Sequence, residues 1–197
     1  MVPHLVHLAM RHPALVQYRR EVVGLAEGRV LEIGIGSGLN LPLYGGAVRS
    51  IVGLEPSATL LRMARTRAVE AAAPIQLIGA SAEAMPLDSA SFDSVITTWT
   101  LCTIPDVSAA LKEVRRVLKP GGVLLFVEHG RAPERAVARW QDRLDPLWRR
   151  AAGGCHLNRK IDALIESSGL HIDTLTNPRL RGPRTHTFLY LGRARPA

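Results

Sequence analysis

Aromatic residues are scarce in this chain: three Trp, three Tyr and three Phe make up 5% of 197 residues. A protein that holds nucleic acid by stacking bases needs an aromatic platform, and none is evident, so a nucleic acid partner is not expected. Cysteine is scarcer still. Cys102 and Cys155 stand far apart and make no disulfide framework, which places the chain by default in a reducing cytoplasm. The seven histidines are scattered rather than paired at ligand spacing, so no metal centre is expected. No apolar run approaches the length of a membrane span. The opening Met1–Met10 stretch is too short and too rich in histidine for the apolar region of a secretory signal. Internal repeats and low-complexity tracts are also missing.

What is present describes one ordinary domain. An apolar content of 47% with 21% charged residues argues for a packed core. The net charge of +8 is uneven. Residues 1–130 carry 12 basic and 11 acidic side chains, a net of +1; residues 131–197 carry 13 and 6, a net of +7. Such a basic third suits anionic lipid, nucleic acid or an acidic substrate, and first of all a solvated face in an Arg-rich chain.

The chain is organised around Val30-Leu31-Glu32-Ile33-Gly34-Ile35-Gly36-Ser37-Gly38-Leu39-Asn40. An apolar run reads as a buried strand, and three glycines spaced two apart then make a tight turn before a helix start. Backbone N–H groups in such a turn face open space, and no Cβ keeps a ligand away. The dinucleotide fingerprint G-x-G-x-x-G fails here, because Leu39 and Leu41 stand where its third glycine belongs. A second strand, Ser50 to Leu54, ends at Glu55-Pro56, 21 residues after Gly34. A carboxylate there has two acceptor oxygens for the two hydroxyls of a ribose. Ser57 is a natural N-cap for a helix from Ala58 to about Ala73. Further strands are expected at Ile75–Ile78, Ser91–Thr97, Val123–Val127, Leu170–Thr176 and Thr185–Leu191. Helices are expected at Val107–Leu118 and Ile161–Ser168, with Lys119-Pro120-Gly121-Gly122 reversing the chain. Before the first strand, Leu5, Leu8, Ala9, Leu15, Val16, Val22 and Val23 lie at helical spacing, with Pro3 and Pro13 as helix starts and a basic face of Arg11, Arg19 and Arg20.

The pattern E-x-G-x-G-x-G from Glu32 to Gly38 resembles the first motif of the class I S-adenosylmethionine-dependent methyltransferases. So do Gly79-Ala80-Ser81-Ala82-Glu83-Ala84-Met85-Pro86, Phe92-Asp93-Ser94-Val95 and Leu118-Lys119-Pro120-Gly121-Gly122. The resemblance covers nearly the whole chain. It implies a Rossmann-like α/β fold with a seven-stranded, mostly parallel sheet, a final antiparallel strand and helices on both faces. It implies a single domain, 1–197, with residues 1–27 as a helical lid over a core of 28–197; plain core packing and lying on a membrane surface are the alternatives for that segment. It implies S-adenosyl-L-methionine as cofactor, held by Glu32, Gly34, Gly36, Ser37, Gly38, Asn40, Glu55, Pro56, Ser81, Ala82, Glu83, Thr98 and Trp99. Ser81 replaces the usual Asp at the adenine edge. Trp99 is a wall of the site or plain core.

A narrower resemblance rests on residues 98–159: Leu101-Cys102-Thr103-Ile104, Glu128-His129, Leu144-Asp145-Pro146-Leu147-Trp148 and Gly154-Cys155-His156-Leu157-Asn158-Arg159. These look like the branch of alkyl thiol S-methyltransferases, with parts shared by bacterial phospholipid N-methyltransferases. No N/D-P-P-Y/F tetrapeptide follows the fourth strand, which argues against methylation of adenine N6 or glutamine. The expected acceptor is a small molecule, with a thiol ahead of a phospholipid headgroup or a quinone-like molecule. A binding module without turnover and an RNA methyltransferase are the remaining readings. Peripheral membrane contact and oligomeric state stay open. His129 is the candidate base or acceptor-positioning group, since it titrates near neutrality, or else it braces its loop. Asp145 and Arg159 line the acceptor pocket or form an ion pair. Cys155 is a reactive thiol or packing.

Overall fold

The computed structural model describes residues 2–197, with the side chains of residues 2, 3, 5 and 6 left aside; the expected apolar position Leu5 therefore lies outside the described side chains. Seven strands form one sheet: β1 (Gly28–Ile33), β2 (Val48–Leu54), β3 (Ile75–Ile78), β4 (Phe92–Thr98), β5 (Leu118–His129), β6 (Leu170–Thr176) and β7 (Leu189–Pro196). Their spatial order is β3-β2-β1-β4-β5-β7-β6. The pairs among β1 to β5 are parallel, and β7 runs antiparallel to both β5 and β6. The chain reverses direction across the sheet between β1 and β4, the place where open α/β sheets bind ligands at their carboxyl ends.

Six α-helices accompany the sheet: α1 (Val2–Met10), α2 (Pro13–Val23), α3 (Ala58–Arg67), α4 (Val107–Val117), α5 (Arg135–Ala151) and α6 (Ile161–Ser167). Pro13 opens α2 as expected, and Ser57 caps α3 through its hydroxyl to the Leu60 N–H at 3.4 Å. The apolar faces of α4 and α6 pack with Leu31, Phe92, Val95, Leu124 and Phe126 on one side of the sheet. Val22 and Val23 of α2 pack with Val30, Ile51, Ile96 and Val127 on the other.

Four expectations needed correction. The glycine turn leads not into a helix but into one turn of 3-10 helix at Leu41–Leu43. The helix expected from Ala58 to Ala73 stops at Arg67, where a short 3-10 turn takes over at Ala68–Glu70. Strand β5 starts at Leu118 rather than Val123, because Lys119 to Gly122 bulge out of the ladder: Phe92 pairs with Leu118, and Ser94 already pairs with Val123. The last strand is Leu189–Pro196, not Thr185–Leu191. Its apolar alternation runs out after Leu191, yet pairing continues through the ladder with β5 and β6, and Arg193 and Arg195 meet Asp173 on the edge strand β6.

Candidate functional site

The glycine turn follows β1 at the carboxyl end of the sheet. Gly34, Gly36 and Gly38 all adopt positive φ, at 65°, 57° and 80°. At Gly34 a Cβ would collide with the Thr100 side chain, whereas at Gly36 it would meet little but open space. The turn is braced from beneath. Glu32, 1% exposed, accepts from Asn40 Nδ2 at 2.8 Å and from the Tyr44 hydroxyl at 2.6 Å. Burial pushes the Glu32 carboxyl up to about 7, against the hydrogen bonds of Tyr44 and Asn40 and the charge of Arg19. Above the turn, Nδ1 of His7 on α1 lies 2.6 Å from the Ser37 hydroxyl.

Glu55 ends β2 beside the same turn. One carboxylate oxygen accepts from the Gly36 N–H at 3.0 Å, and the other from the Ser57 N–H at 2.9 Å. Burial raises its pKa, and these two bonds oppose the rise. Pro56 is exposed next to it. After β3, the Ser81 hydroxyl donates to Glu83 at 2.5 Å, Glu83 accepts from the Asp106 N–H at 2.7 Å, and Ala82 is buried between them. Thr98 and Trp99 close β4. Trp99 is half-buried, with φ at 51°, and its ring faces the Arg19 guanidinium at 5.0 Å.

Arg19 escaped the sequence reading, which placed it on an exposed basic face. It is 5% exposed. Its NH1 donates to Asn40 Oδ1 at 2.9 Å and Thr98 Oγ1 at 3.1 Å, and Thr98 Oγ1 also accepts from Asn40 Nδ2 at 3.1 Å. Burial lowers the guanidinium pKa to about 10, with Glu32 and Glu128 pulling it back up. One network therefore joins α2, β1, the turn and the end of β4. An Arg one helical turn from Leu15 and Val22 signals burial of that face only weakly, since long side chains usually carry their charge out to water.

The carboxyl ends of β4 and β5 carry a second cluster that spacing gave no sign of. His129 Nε2 lies 2.9 Å from Cys155 Sγ, and Cys155 Sγ lies 3.5 Å from Cys102 Sγ. The three potential ligand atoms all fall within 4.8 Å of one another. Cys102 and Cys155 are free thiols, and Cys102 also points at the Trp99 carbonyl at 3.6 Å. The sulfur of Cys102 and the imidazole of His129 hold the Cys155 thiol below its ordinary value, against burial. Burial works to lower the His129 pKa, but Cys155 overrides it and raises the value. The two cysteine loops are tied by the His156 N–H to the Cys102 carbonyl at 2.8 Å. Arg159 donates to the carbonyls of Leu101 and Pro105, and Asp145 accepts from the Leu157 N–H at 2.8 Å and pairs with Arg149 at 3.3 Å. Among the described residues, Asp145 and Arg159 make no ion pair with each other, so both serve as loop braces.

Outside this centre, α5 buries Val137, Ala138, Gln141 and Asp145 and exposes Trp140 (55%), Leu144 (36%), Leu147 (69%) and Trp148 (36%). Gln141 fixes the helix to the end of β5, accepting from the Ala132 N–H and donating to the Gly130 carbonyl, each at 2.9 Å. A cavity of about 700 Å³ lies between the start of α5 and β7, lined by Arg131, Arg135, Arg139 and Lys160 with Phe188 and Tyr190. Among the described residues, no helix is long and apolar enough to cross a membrane.

This order of strands, with a glycine turn after β1 and an acid closing β2, defines a nucleoside-binding methyltransferase architecture, and the comparisons agree. Residues 31–126 match a family described as methyltransferase domain. Thiol S-methyltransferase TMT1B of Rattus norvegicus is 34% identical over 148 residues, 72% of this chain and 59% of the rat protein. Phosphatidylethanolamine N-methyltransferase of Cereibacter sphaeroides is 32% identical over 126 residues, 59% of this chain and 62% of the bacterial protein. A crystal structure of an SAM-dependent methyltransferase from Methanosarcina mazei superposes with a TM-score of 0.68 at 24% identity, covering 94% of this chain and 97% of that one. The chain spans about three fifths of the length of the curated relatives it matches. Residues 31–126 thus form a methyltransferase domain, and the chain has the fold of the class I S-adenosylmethionine-dependent methyltransferases, a class whose cofactor is S-adenosyl-L-methionine.

Proposed function

We propose that this protein methylates the sulfur of a small lipophilic thiol. The observation that carries the acceptor choice is the sulfur-rich, imidazole-bearing cluster at the carboxyl ends of β4 and β5, next to Trp99. A polarizable, half-buried surface suits a thiol better than a strongly hydrated amine or hydroxyl. The rat thiol S-methyltransferase, at 34% identity, supports the same choice.

The residues present fit the cofactor. When bound, it supplies a methyl group on a sulfonium centre, which a nucleophile displaces in line. Gly34, Gly36, Ser37 and Gly38 offer room and N–H groups, with Glu32 and Asn40 setting their shape from beneath. Each Glu55 oxygen keeps a lone pair for a ribose hydroxyl after accepting its backbone bond. Ser81, Ala82 and Glu83 border the adenine, with Pro56 against its face, and Thr98 and Trp99 border the methionine arm. The buried Arg19 Nε, which has no hydrogen-bond partner among the described residues, sits in the network that joins these groups. Residues 1–27 serve as the lid, with His7 on Ser37 as its latch. For the acceptor, the protein supplies proximity and a dry pocket. His129 positions the thiol, its Nε2 being shared with Cys155.

A second reading, methylation of a phospholipid headgroup amine, draws on the basic cavity beside α5 and on the Cereibacter relative. For either acceptor, the exposed Trp140–Leu147 stripe of α5, flanked by Arg139, Arg143 and Arg150, docks on an anionic bilayer: apolar side chains enter the interface while the arginines meet phosphate. S-adenosylhomocysteine release with alkyl and aryl thiols, phosphatidylethanolamine vesicles, hydroxylated quinones and RNA tests the assignment. Selective turnover of thiols is expected. Turnover of vesicles alone would replace the thiol reading with the second one.

A further inference from the structure

We propose that Cys102, His129 and Cys155 form a zinc site with an open fourth position that takes the acceptor's sulfur. The inference rests on the thiol reading for its fourth ligand and on the geometry alone for its first three. Three donors arrive from three separate segments: the loop after β4, the last residue of β5 and the loop after α5. With zinc–sulfur bonds of about 2.3 Å and zinc–nitrogen bonds of about 2.0 Å, a tetrahedral ion spaces its ligand atoms roughly 3.5–3.8 Å apart. The two sulfurs already stand 3.5 Å apart, and Nε2 of His129 needs to retreat by less than an ångström from its 2.9 Å approach to Cys155. Two thiolates and one imidazole are a soft, borderline set that suits zinc far better than magnesium or calcium. Three protein ligands, rather than four, leave a position for an exogenous one.

The site is built before any ion arrives. The His156 N–H to Cys102 carbonyl bond and the Arg159 contact on the Leu101 carbonyl hold the two cysteine loops together. Gly153 and Gly154, both at positive φ (63° and 93°), turn the chain so that Cys155 comes back toward β5. Among the described residues, the Nε2 of His186 is buried without a hydrogen-bond partner; its Nδ1 is 2.8 Å from the Thr185 hydroxyl, and its ring packs edge-on against Trp148 with centroids 4.3 Å apart. A disulfide between the two cysteines would need the sulfurs to close from 3.5 Å to about 2.05 Å.

The chemistry balances simply. A thiol, R–SH, binds the ion as R–S⁻, and its proton passes to solvent; nothing is oxidised or reduced. Coordination deprotonates a thiol at a pH where it would otherwise be mostly protonated. After methylation the product is a neutral thioether, a weaker ligand that leaves.

The test uses the whole, reduced protein freed of metal by a chelator. Cobalt(II) titration is expected to give one equivalent of tetrahedral cobalt with a thiolate charge-transfer band. Adding an alkane thiol is expected to shift that band with no cofactor present. Cys155→Ser and His129→Gln should each weaken metal binding at least 100-fold, while circular dichroism and S-adenosylhomocysteine affinity stay close to wild type. Thiol turnover should fall at least tenfold in the metal-free protein and return with one equivalent of zinc. Absence of the cobalt bands, or a Cys102–Cys155 disulfide in protein purified under reductant, overturns the site even if thiols are methylated. Cobalt bands that ignore the added thiol overturn the fourth-ligand role. A thiol-responsive cobalt site in a protein that releases S-adenosylhomocysteine only with vesicles supports the metal centre and overturns the thiol reading by itself.

Discussion

His129 Nε2 and Cys155 Sγ lie 2.9 Å apart across 26 residues of sequence. The contact joins the last residue of β5 to the loop that follows α5, and it engages Nε2 of the imidazole. His129→Ala is therefore expected to cut turnover of thiols by at least tenfold while changing S-adenosylhomocysteine affinity less than threefold. Steady-state kinetics beside calorimetry would separate the two effects, and equal losses in both would place His129 in the fold rather than in acceptor handling.

Glu55 accepts two backbone N–H bonds, from Gly36 and Ser57. Glu55→Gln keeps an acceptor but loses the charge and one oxygen; Glu55→Ala loses both. Charged hydrogen bonds contribute about 1.5–3 kcal/mol each, so cofactor affinity should fall roughly 10-fold or more for Gln and further for Ala. Calorimetric affinity unchanged in both variants would remove Glu55 from the ribose.

Arg19 is the internal tie between the N-terminal helices and the turn. Arg19→Met fills much of the same space yet leaves the Asn40 carbonyl oxygen without its donor and the Glu32 carboxylate without its nearby positive charge. A loss of roughly 2–4 kcal/mol is expected, which for a domain of this size is a drop of about 5–15 °C in Tm. Thermal unfolding that hardly moves would mean the network is dispensable.

The stability of the cofactor-free protein should depend on pH through Glu32. Its carboxyl titrates at about 7 when folded and at an ordinary 4.5 or so when unfolded. Between those values the folded state holds the extra proton, so stability from this group is present below about pH 4.5 and is lost as pH rises through 7. The slope approaches about 1.4 kcal/mol per pH unit inside that window. Glu128, likewise buried and likewise pushed up to about 7, contributes in the same window, so urea unfolding from pH 5 to 8 would show both groups and Glu32→Gln should remove about half of the slope.

For α5, Trp140→Glu with Leu147→Glu should abolish flotation with anionic vesicles while shifting stability by only about 0.5 kcal/mol per site, because both side chains are exposed. Flotation that survives the double change would move the docking surface elsewhere on the molecule.

The legible part of the sequence was local. Glu32 to Gly38, Glu55 and the Lys119–Gly122 reversal each carry their signal within a few residues, because glycine, proline and a strand-ending acid act on the backbone they belong to. The strand order followed from the resemblance those stretches carry. Arg19 and the Cys102–His129–Cys155 cluster were not legible, since each depends on segments 26 to 79 residues apart being folded together. The last strand was misplaced by several residues for a related reason. Its second half, Gly192 to Pro196, holds its place through the ladder with β5 and β6 and not through its own pattern.

Strand β7 follows β6 along the chain yet sits between β5 and β6. During translation, the edge of β5 from Leu124 to His129 stays without its neighbour until Leu189 to Ala194 have left the ribosome. Until then β6 has no partner strand either, and an open ladder beside an apolar face is a template for other nascent chains. The sheet is thus completed by inserting β7 between two strands made earlier, and a chaperone that shelters β5 during that interval would act on yield without touching the finished structure.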